Sequence, residues 1–233
     1  MAQSITGLQQ DSNLRVFRKV EIRRRQNGGT YEANWQDVTS LTTQFPVITF
    51  SLDNIQPFTY RRGQAHLSFR NEEKQFADVN FSASKFSGFQ TRYKTLCRIS
   101  TGLEDDSGAQ YPTTTAVFYG LFSDDIIDTQ IETEVPVNDI AQALIEFPAS
   151  NIAPSIVGTA LRSDQIIGTI RDYTDGSGNV VLSNFISSSA WVLSNTGRTY
   201  TVPTTTELEG VSALDLIEKL ALAENHVFFI DGA

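Results

Sequence analysis

Ser163-Asp-Gln-Ile-Ile-Gly-Thr-Ile-Arg-Asp172 is where the sequence changes rhythm. Ile166, Ile167 and Ile170 fall at i, i+1 and i+4, the apolar stripe of a short helix over residues 164–171. Ser163 stands where an N-cap belongs, and Asp164 places negative charge at the positive end of the helix dipole. A second segment answers it. Ser212-Ala-Leu-Asp215 reads as a capping box with Asp in place of the usual Glu or Gln. Leu216, Ile217 and Leu220 supply that helix's stripe, Asn225 its C-cap, and His226-Val-Phe-Phe-Ile-Asp231 returns into a strand. Both helices are expected to pack on β structure, because everything before Ser163 reads as antiparallel strands. The fold class is therefore mainly β (α+β overall). An arm of residues 1–13 precedes an N-terminal antiparallel β-barrel over 14–148, and a smaller α/β domain with two short helices covers 149–233.

The strand reading rests on period-two alternation. Leu14, Val16, Val20 and Ile22 alternate with Arg15, Lys19, Glu21 and Arg23. Gln26-Asn27-Gly28-Gly29 is a turn, and residues 30–38, with Trp35, form the return strand. Further strands fall at 45–52, 59–69, 92–101, 113–122, 126–133 and 140–147. Residues 76–89 carry Phe76, Phe81, Phe86 and Phe89 without a period, as an ordered loop pinned by aromatics would. The alternation places Val16, Val20, Ile22, Ile48, Phe50, Leu67, Ile99 and Val117 inside the barrel. Residues 180–186 and 191–202 read as strands of the second domain. The terminal Asp231-Gly232 is a hairpin signal with no strand after it. It reads as an incomplete C-terminus, the alternative being a last strand that pairs with an element already present.

At 233 residues and 40% hydrophobic composition the chain buries a workable core. It has no run of about 18 apolar residues for a membrane helix, and its first ten residues lack the basic and apolar regions of a signal peptide. Synthesis in a cytoplasm and no membrane insertion follow. Cys97, the one cysteine, excludes an intrachain disulfide and any cysteine-built zinc or iron–sulfur site, and its alternating surroundings make it a small buried hydrophobe. A net charge of −9 argues against stable nucleic-acid binding. The charge is uneven, however: Arg15, Arg18, Lys19, Arg23, Arg24, Arg25, Arg61 and Arg62 lie in the first quarter, and acids accumulate after Glu104. Such asymmetry suits head-to-tail contact between copies, and equally suits solvated faces.

No catalytic constellation emerges. His66 and His226 sit inside strand patterns, and no nucleophile elbow, Walker A loop or dinucleotide fingerprint occurs. The acidic pairs Asp105-Asp106 and Asp124-Asp125 lack the spacing that defines a glycosidase or a calcium loop, and a solvated loop is the plainer reading of 104–108. Trp35, Trp191, Tyr60 and Tyr93 fit a β core better than a sugar platform. The chain reads as a non-enzyme that needs no cofactor and no metal.

The second half resembles the hub, or tail-tip, proteins of tailed bacteriophages. The resemblance lies in Thr159-Ala-Leu-Arg-Ser-Asp-Gln-Ile-Ile167 after the connector 151–157, in Trp191, in Ser212-Ala-Leu-Asp-Leu-Ile-Glu-Lys-Leu-Ala-Leu-Ala-Glu224 and in Val227-Phe-Phe-Ile-Asp-Gly232. Tyr119-Gly-Leu-Phe-Ser-Asp124 is similar to a barrel strand of that family. Order and spacing carry the likeness, since each motif alone is loose. The resemblance implies a virion structural part at the tail tip or baseplate. It would be a homotrimer closing the tail tube, joined to the distal tail protein, the C-terminus of the tape-measure protein and other tail-tip proteins. DNA would pass an acidic lumen without sticking. The contact between copies would set Arg23, Arg24, Arg25, Arg61 and Arg62 against Asp105, Asp106, Asp124 and Asp125, and reversing Arg23, Arg24 and Arg25 to Glu would spare the fold but slow assembly. The rival readings are a hexameric distal tail protein and a carbohydrate-binding β-domain of a host-recognition apparatus.

Overall fold

In a computed structural model the chain is described at residues 15–50, 63–80, 82–111, 116–176, 178, 180–187, 191–193 and 196–226. These residues divide into two compact units, one of 15–49 and 64–137, the other of 138–226 with Phe50 and Gly63. Strand outweighs helix, 40% to 23%, and the principal sheet is an antiparallel half-barrel, as the alternation requires.

That sheet contains β1 (Arg15–Arg25), β2 (Gln36–Asp37), β3 (Thr42–Phe50), β4 (Gly63–Arg70), β5 (Thr91–Glu104), β6 (Gln110–Tyr111), β7 (Ala116–Phe122), β8 (Ile127–Asp128) and β9 (Glu132–Asp139). The path runs β2-β1-β5-β7-β9-β4-β3, with β6 on β5 and β8 on β9. The longest pairing sets β1 against β5, Val20 opposite Ile99 and Ile22 opposite Cys97. Those four side chains, Leu67, Phe69, Phe118 and Phe122 are all buried in one cluster. Phe76 and Phe86 from the aperiodic loop complete it. Phe69 and Phe76 stack with centroids 3.9 Å apart, and Phe86 meets Phe76 edge-on at 5.9 Å. The loop is thus pinned by its aromatics; Phe81 lies outside the described residues.

Of the eight side chains placed inside the barrel, Val20, Ile22, Leu67 and Ile99 are buried and Ile48 packs partly against the core. The side chain of Phe50 lies outside the described residues. Val16 and Val117 are corrections, at 61% and 44% exposed. Val16 pairs with Leu103 at the end of β1, beyond the last buried pair, Val20 and Ile99. Val117 is the extra residue of a bulge between Ile99/Phe118 and Ser100/Ala116, and one inserted residue turns its side chain to the opposite face.

A larger bulge interrupts β1–β5 between Arg23/Leu96 and Arg25/Thr91. Lys94 adopts φ 60° there, and Tyr31 holds its carbonyl with a 2.6 Å hydrogen bond. The preceding turn forms as expected, with Gly28 and Gly29 at φ 107° and 89° and Gln26 N–H bonded to the Thr30 carbonyl. The return strand is shorter than the expected 30–38. Only Gln36–Asp37 pairs along β1, beyond an isolated bridge between Arg25 and Tyr31.

The second unit is helical where strands were expected. Residues 140–147 hold α1 (Gln142–Ile145). Ala143 and Leu144 are strong helix formers, and the Asp139 carboxylate accepts the Ala141 N–H at 2.9 Å to open the turn. Helix α2 (Ala153–Ile156) carries a proline in its first turn. Residues 180–186 form a 3-10 turn at Leu182–Asn184, where Ser183 donates to the Val180 carbonyl. In 191–202 the described strand is β11 (Thr199–Thr201), antiparallel to β10 (Ala160–Arg162).

Helices α3 (Ser163–Arg171) and α4 (Ala213–Glu224) form where the sequence put them. Ile166, Ile170, Ile217 and Leu220 are buried. Helix α3 contacts β10 and α4, and α4 contacts α1, so the β structure expected beneath both helices is found beside α3. The α4 capping box is real: Ser212 Oγ accepts Asp215 N–H at 3.1 Å, and Asp215 accepts Ser212 N–H at 3.2 Å. Asn225 closes the helix in the left-handed region at φ 58°. Ser163 does not cap α3. Gln165 accepts the Arg162 N–H at 2.9 Å there instead, and the Ser163 hydroxyl turns inward.

Candidate interaction surfaces

Two charged regions of opposite sign occupy the end of the sheet where β1 stops and β5 begins. The basic one is built on the β1 turn. The bulge breaks the ladder between Arg23 and Arg25, so Arg24 turns to the Glu32 carboxylate while Arg25 pairs again with Thr91. Arg24 pairs with Glu32 Oε1 at 2.5 Å, donates to the Lys85 carbonyl and lies 4.0 Å over the Phe89 ring. Burial pushes the Glu32 carboxyl up, but Arg24 holds it below the ordinary carboxylate range. Arg23 donates to the Glu32 carbonyl at 2.8 Å, and Arg25 reaches the Gly29 carbonyl at 3.4 Å. Arg24 and Tyr31 bind the backbone carbonyls of Lys85 and Lys94, and the Lys94 ammonium itself lies 5.2 Å from the Tyr93 ring centroid.

On the outer face above it, Arg23 and Arg98 both lie against Trp35, 5.6 and 4.5 Å from the ring centroid, and Tyr119 meets that ring edge-on. Glu21 is buried there between Arg98 (2.5 Å) and Lys19 (2.8 Å). Burial raises its carboxyl, and the two cations more than offset this and lower it. A buried carboxylate needs such partners, which makes this cluster structural.

The acidic region is assembled from three separate segments. The turn after β4 supplies Glu72 and Glu73, and Asn71 joins it to the β8–β9 hairpin by bonding the Ile131 carbonyl at 2.8 Å. The hairpin carries Asp128, Glu132 and Glu134, and the stretch between β7 and β8 adds Asp124 and Asp125. Arg92 ties the groups together, contacting Asp128 at 2.8 Å, Asp78 at 3.9 Å and the Phe76 carbonyl at 2.8 Å. A polar pocket of about 250 Å³ opens there, walled by Arg92, Tyr93, Asp78, Asp124 and Ile126. Among these carboxylates stand two apolar side chains in water, Ile127 at 57% and Ile131 at 67% exposed.

In the second unit Glu224 joins the two helical motifs. It accepts the Ser163 hydroxyl at 2.7 Å and the Thr196 N–H at 2.7 Å. Hydrogen bonds from Thr196, opposed by burial and reinforced by Ser163, hold its pKa down to about 2. The carboxylate sits at the C-terminal end of α4, where the dipole disfavours it, so these donors are what keep it charged.

The nine residues expected to make a contact between copies fare differently. Arg24 is committed within its own chain, and Arg23 and Arg25 partly so. Arg61 and Arg62 lie outside the described residues. Asp105 serves its own turn, accepting Ser107 and Ala109 N–H groups at 2.9 Å, and Glu104 beside it pairs with Arg15 across the sheet. Asp106, Asp124 and Asp125 are exposed. Glu72, Glu73, Asp128, Glu132, Glu134 and the two isoleucines were missed. They come from distant segments, and only the strand pairing brings them together.

His66 stands 3.6 Å from Glu134 on the exposed side of β4. Cys97 is fully buried, and burial pushes its thiol up. Trp35 and Tyr93 do not share a platform: Trp35 lies against Arg23 and Arg98, and Tyr93 lies at the pocket beneath the Lys94 ammonium. Among the described residues no group of three or more His, Cys, Asp or Glu is placed to hold a metal ion, and no helix is long and apolar enough to cross a membrane.

No family model and no curated protein matches the sequence. Among solved structures, the chain is similar to the 43 kDa tail protein of prophage MuSo2 from Shewanella oneidensis, with a TM-score of 0.45 and 10% identity. That similarity covers 93% of this chain, which spans about half (53%) of the prophage protein.

Proposed function

We propose that the chain is a structural subunit of a phage tail, and within the tail a hub at its tip, with no catalytic role. The observation that carries this reading is the second unit. The motifs that resemble the tail-tip family, 159–167 and 212–224, fold into two capped helices packed on one another and joined by the Ser163–Glu224 bond. A curled antiparallel sheet precedes them in the chain, as in that family. Such a subunit acts mechanically: it closes the tube, seats on the distal tail protein and receives the tape-measure C-terminus. Its residence would be the virion.

Native mass of the purified chain, alone and mixed with the tape-measure C-terminal segment, tests it. A trimer that retains that segment is expected. A hexamer would move the reading to a distal tail protein. A monomer that binds neither tail protein but retains an oligosaccharide on a glycan array would overturn it in favour of a host-recognition domain.

A further inference from the structure

The two charged regions of the first unit are not alike, and neither fits itself. On the β1 side of the sheet end, among the described residues, Arg23, Arg24 and Arg25, with Lys85 in the segment that Arg24 holds, outnumber the carboxylate of Glu32. Along β4, β8 and β9, Glu72, Glu73, Asp124, Asp125, Glu132 and Glu134 exceed the nearby Arg70 and Lys74, and Arg92 is spent on Asp78 and Asp128. Exposed carboxylates crowded like this repel one another, and a cationic surface relieves that repulsion. Within the same region Ile127 and Ile131 keep more than half their surface in water. Isolated exposed apolar residues mean little, but two on one hairpin inside an acidic rim have the form of an interface centre and its surround.

We propose that the acidic β8–β9 side of one copy docks, through Ile127 and Ile131, on the basic β1 turn of a second copy. The basic turn offers the complementary chemistry: three arginines held by hydrogen bonds to Glu32, Gly29 and the Lys85 carbonyl, with the half-buried Phe89 ring under Arg24. Because the two surfaces differ, the contact is heterologous. With one side used at each junction, it closes a ring or extends a filament when repeated from copy to copy. This rests on the tail-subunit reading and gives that reading its surfaces. It also revises the expected contact: Asp124 and Asp125 stay in it and Asp105 leaves it. Arg24 takes part through its field, its donors being already engaged.

The test uses two variants of the full chain, each disabling one side at exposed or half-exposed positions. One is Asp125→Lys with Ile131→Ser; the other is Lys85→Glu with Arg25→Glu. Circular dichroism checks that each is folded, and Lys85→Glu alone serves if the second pair is not. Sedimentation velocity at low and high salt reads the assembly. Wild type should form a species larger than a dimer, and each variant alone should associate at least about tenfold more weakly. A one-to-one mixture of the variants retains one working junction and should stop at a dimer. Variants that assemble to the wild-type mass overturn this contact and leave the tail reading standing. Wild type that stays monomeric even with tail proteins present overturns both.

Discussion

Phe76 is the side chain on which the aperiodic loop 76–89 depends, and its removal gives a measurable loss. The ring is 1% exposed, stacks on Phe69 and meets Phe86 edge-on. Phe76→Ala removes the ring from a closed site, for which about 3–5 kcal/mol is the usual loss. Phe76→Leu keeps most of the buried apolar volume and forfeits the two ring contacts, worth about 0.5–1.5 kcal/mol each, so about 1–3 kcal/mol in all. The backbone bonds at this residue, from its N–H to Asn71 and from Arg92 to its carbonyl, survive both changes. Phe89 on the same loop is the control. It lies half-buried under Arg24, and Phe89→Ala forfeits a cation–π contact of about 0.5–1 kcal/mol with a little area. Urea unfolding should be followed by Trp35 emission in a Trp191→Phe background, because a protein of two units needs a probe in the unit perturbed. A Phe76→Ala loss below about 1 kcal/mol, or one no larger than that of Phe89→Ala, would refute the account of a loop held by its aromatics.

Arg24→Glu should destabilise the first unit by about 1.5–3 kcal/mol, the worth of a charge-assisted bond at a mostly buried pair, because it sets a second carboxylate against Glu32; recovery in Arg24→Glu/Glu32→Arg, read by urea midpoints, checks that the pair is responsible. Ser212→Ala removes the α4 cap and should cost about 1 kcal/mol, seen as a lower midpoint of the helical signal at 222 nm. Glu224 titrates at about 2 when folded, below the roughly 4.3 of an unfolded glutamate. Its contribution is therefore complete above that higher value and is lost as pH falls toward 2. Glu224→Gln should flatten the stability of the second unit over that interval, and an unchanged slope between pH 4.5 and 2 would exclude Glu224 as its source. Cys97 should resist thiol reagents in the native chain and react only on unfolding, since it is buried and its thiol is pushed up.

What could be read from the sequence was what short-range periodicity encodes. The alternation of Val20 and Ile22 against Lys19, Glu21 and Arg23 gave β1 its buried face, and the i, i+4 isoleucines gave α3. Both survive because the same local pattern decides the conformation and its buried side. Bulges defeat that logic. One extra residue at Val117 and a left-handed Lys94 shift the phase of everything beyond them, and nothing in either residue type announces the shift. Residues 140–147 failed for a different reason. Ile140 and Leu144 satisfy a helix spacing as well as a strand alternation over so few residues, and the Asp139 carboxylate that settles it in favour of a turn precedes them.

Charge was legible as a quantity and illegible as a surface. The sequence shows the arginines of β1 and the later acids, but a formal charge does not say whether its hydrogen-bonding groups are already engaged. Arg24 illustrates this: its guanidinium bonds Glu32 and the Lys85 carbonyl and covers Phe89, so it holds the turn together before it meets any partner. These contacts argue against the expectation that reversing Arg23, Arg24 and Arg25 together would spare the fold. A triple reversal would confound unfolding with lost association. Association is better probed at Asp125 and Ile131, whose side chains face water. The acidic side escaped the sequence reading for the converse reason. Glu72 and Glu132 are sixty residues apart, and they become neighbours only because β9 pairs with β4 and Asn71 bonds the hairpin turn. A contact surface made this way is a property of sheet order. Asn71→Ala keeps the backbone bond to Ile131 but removes the side-chain bonds to the Thr129 carbonyl and the Phe76 N–H, and should therefore loosen the hairpin and weaken association without altering a single charge.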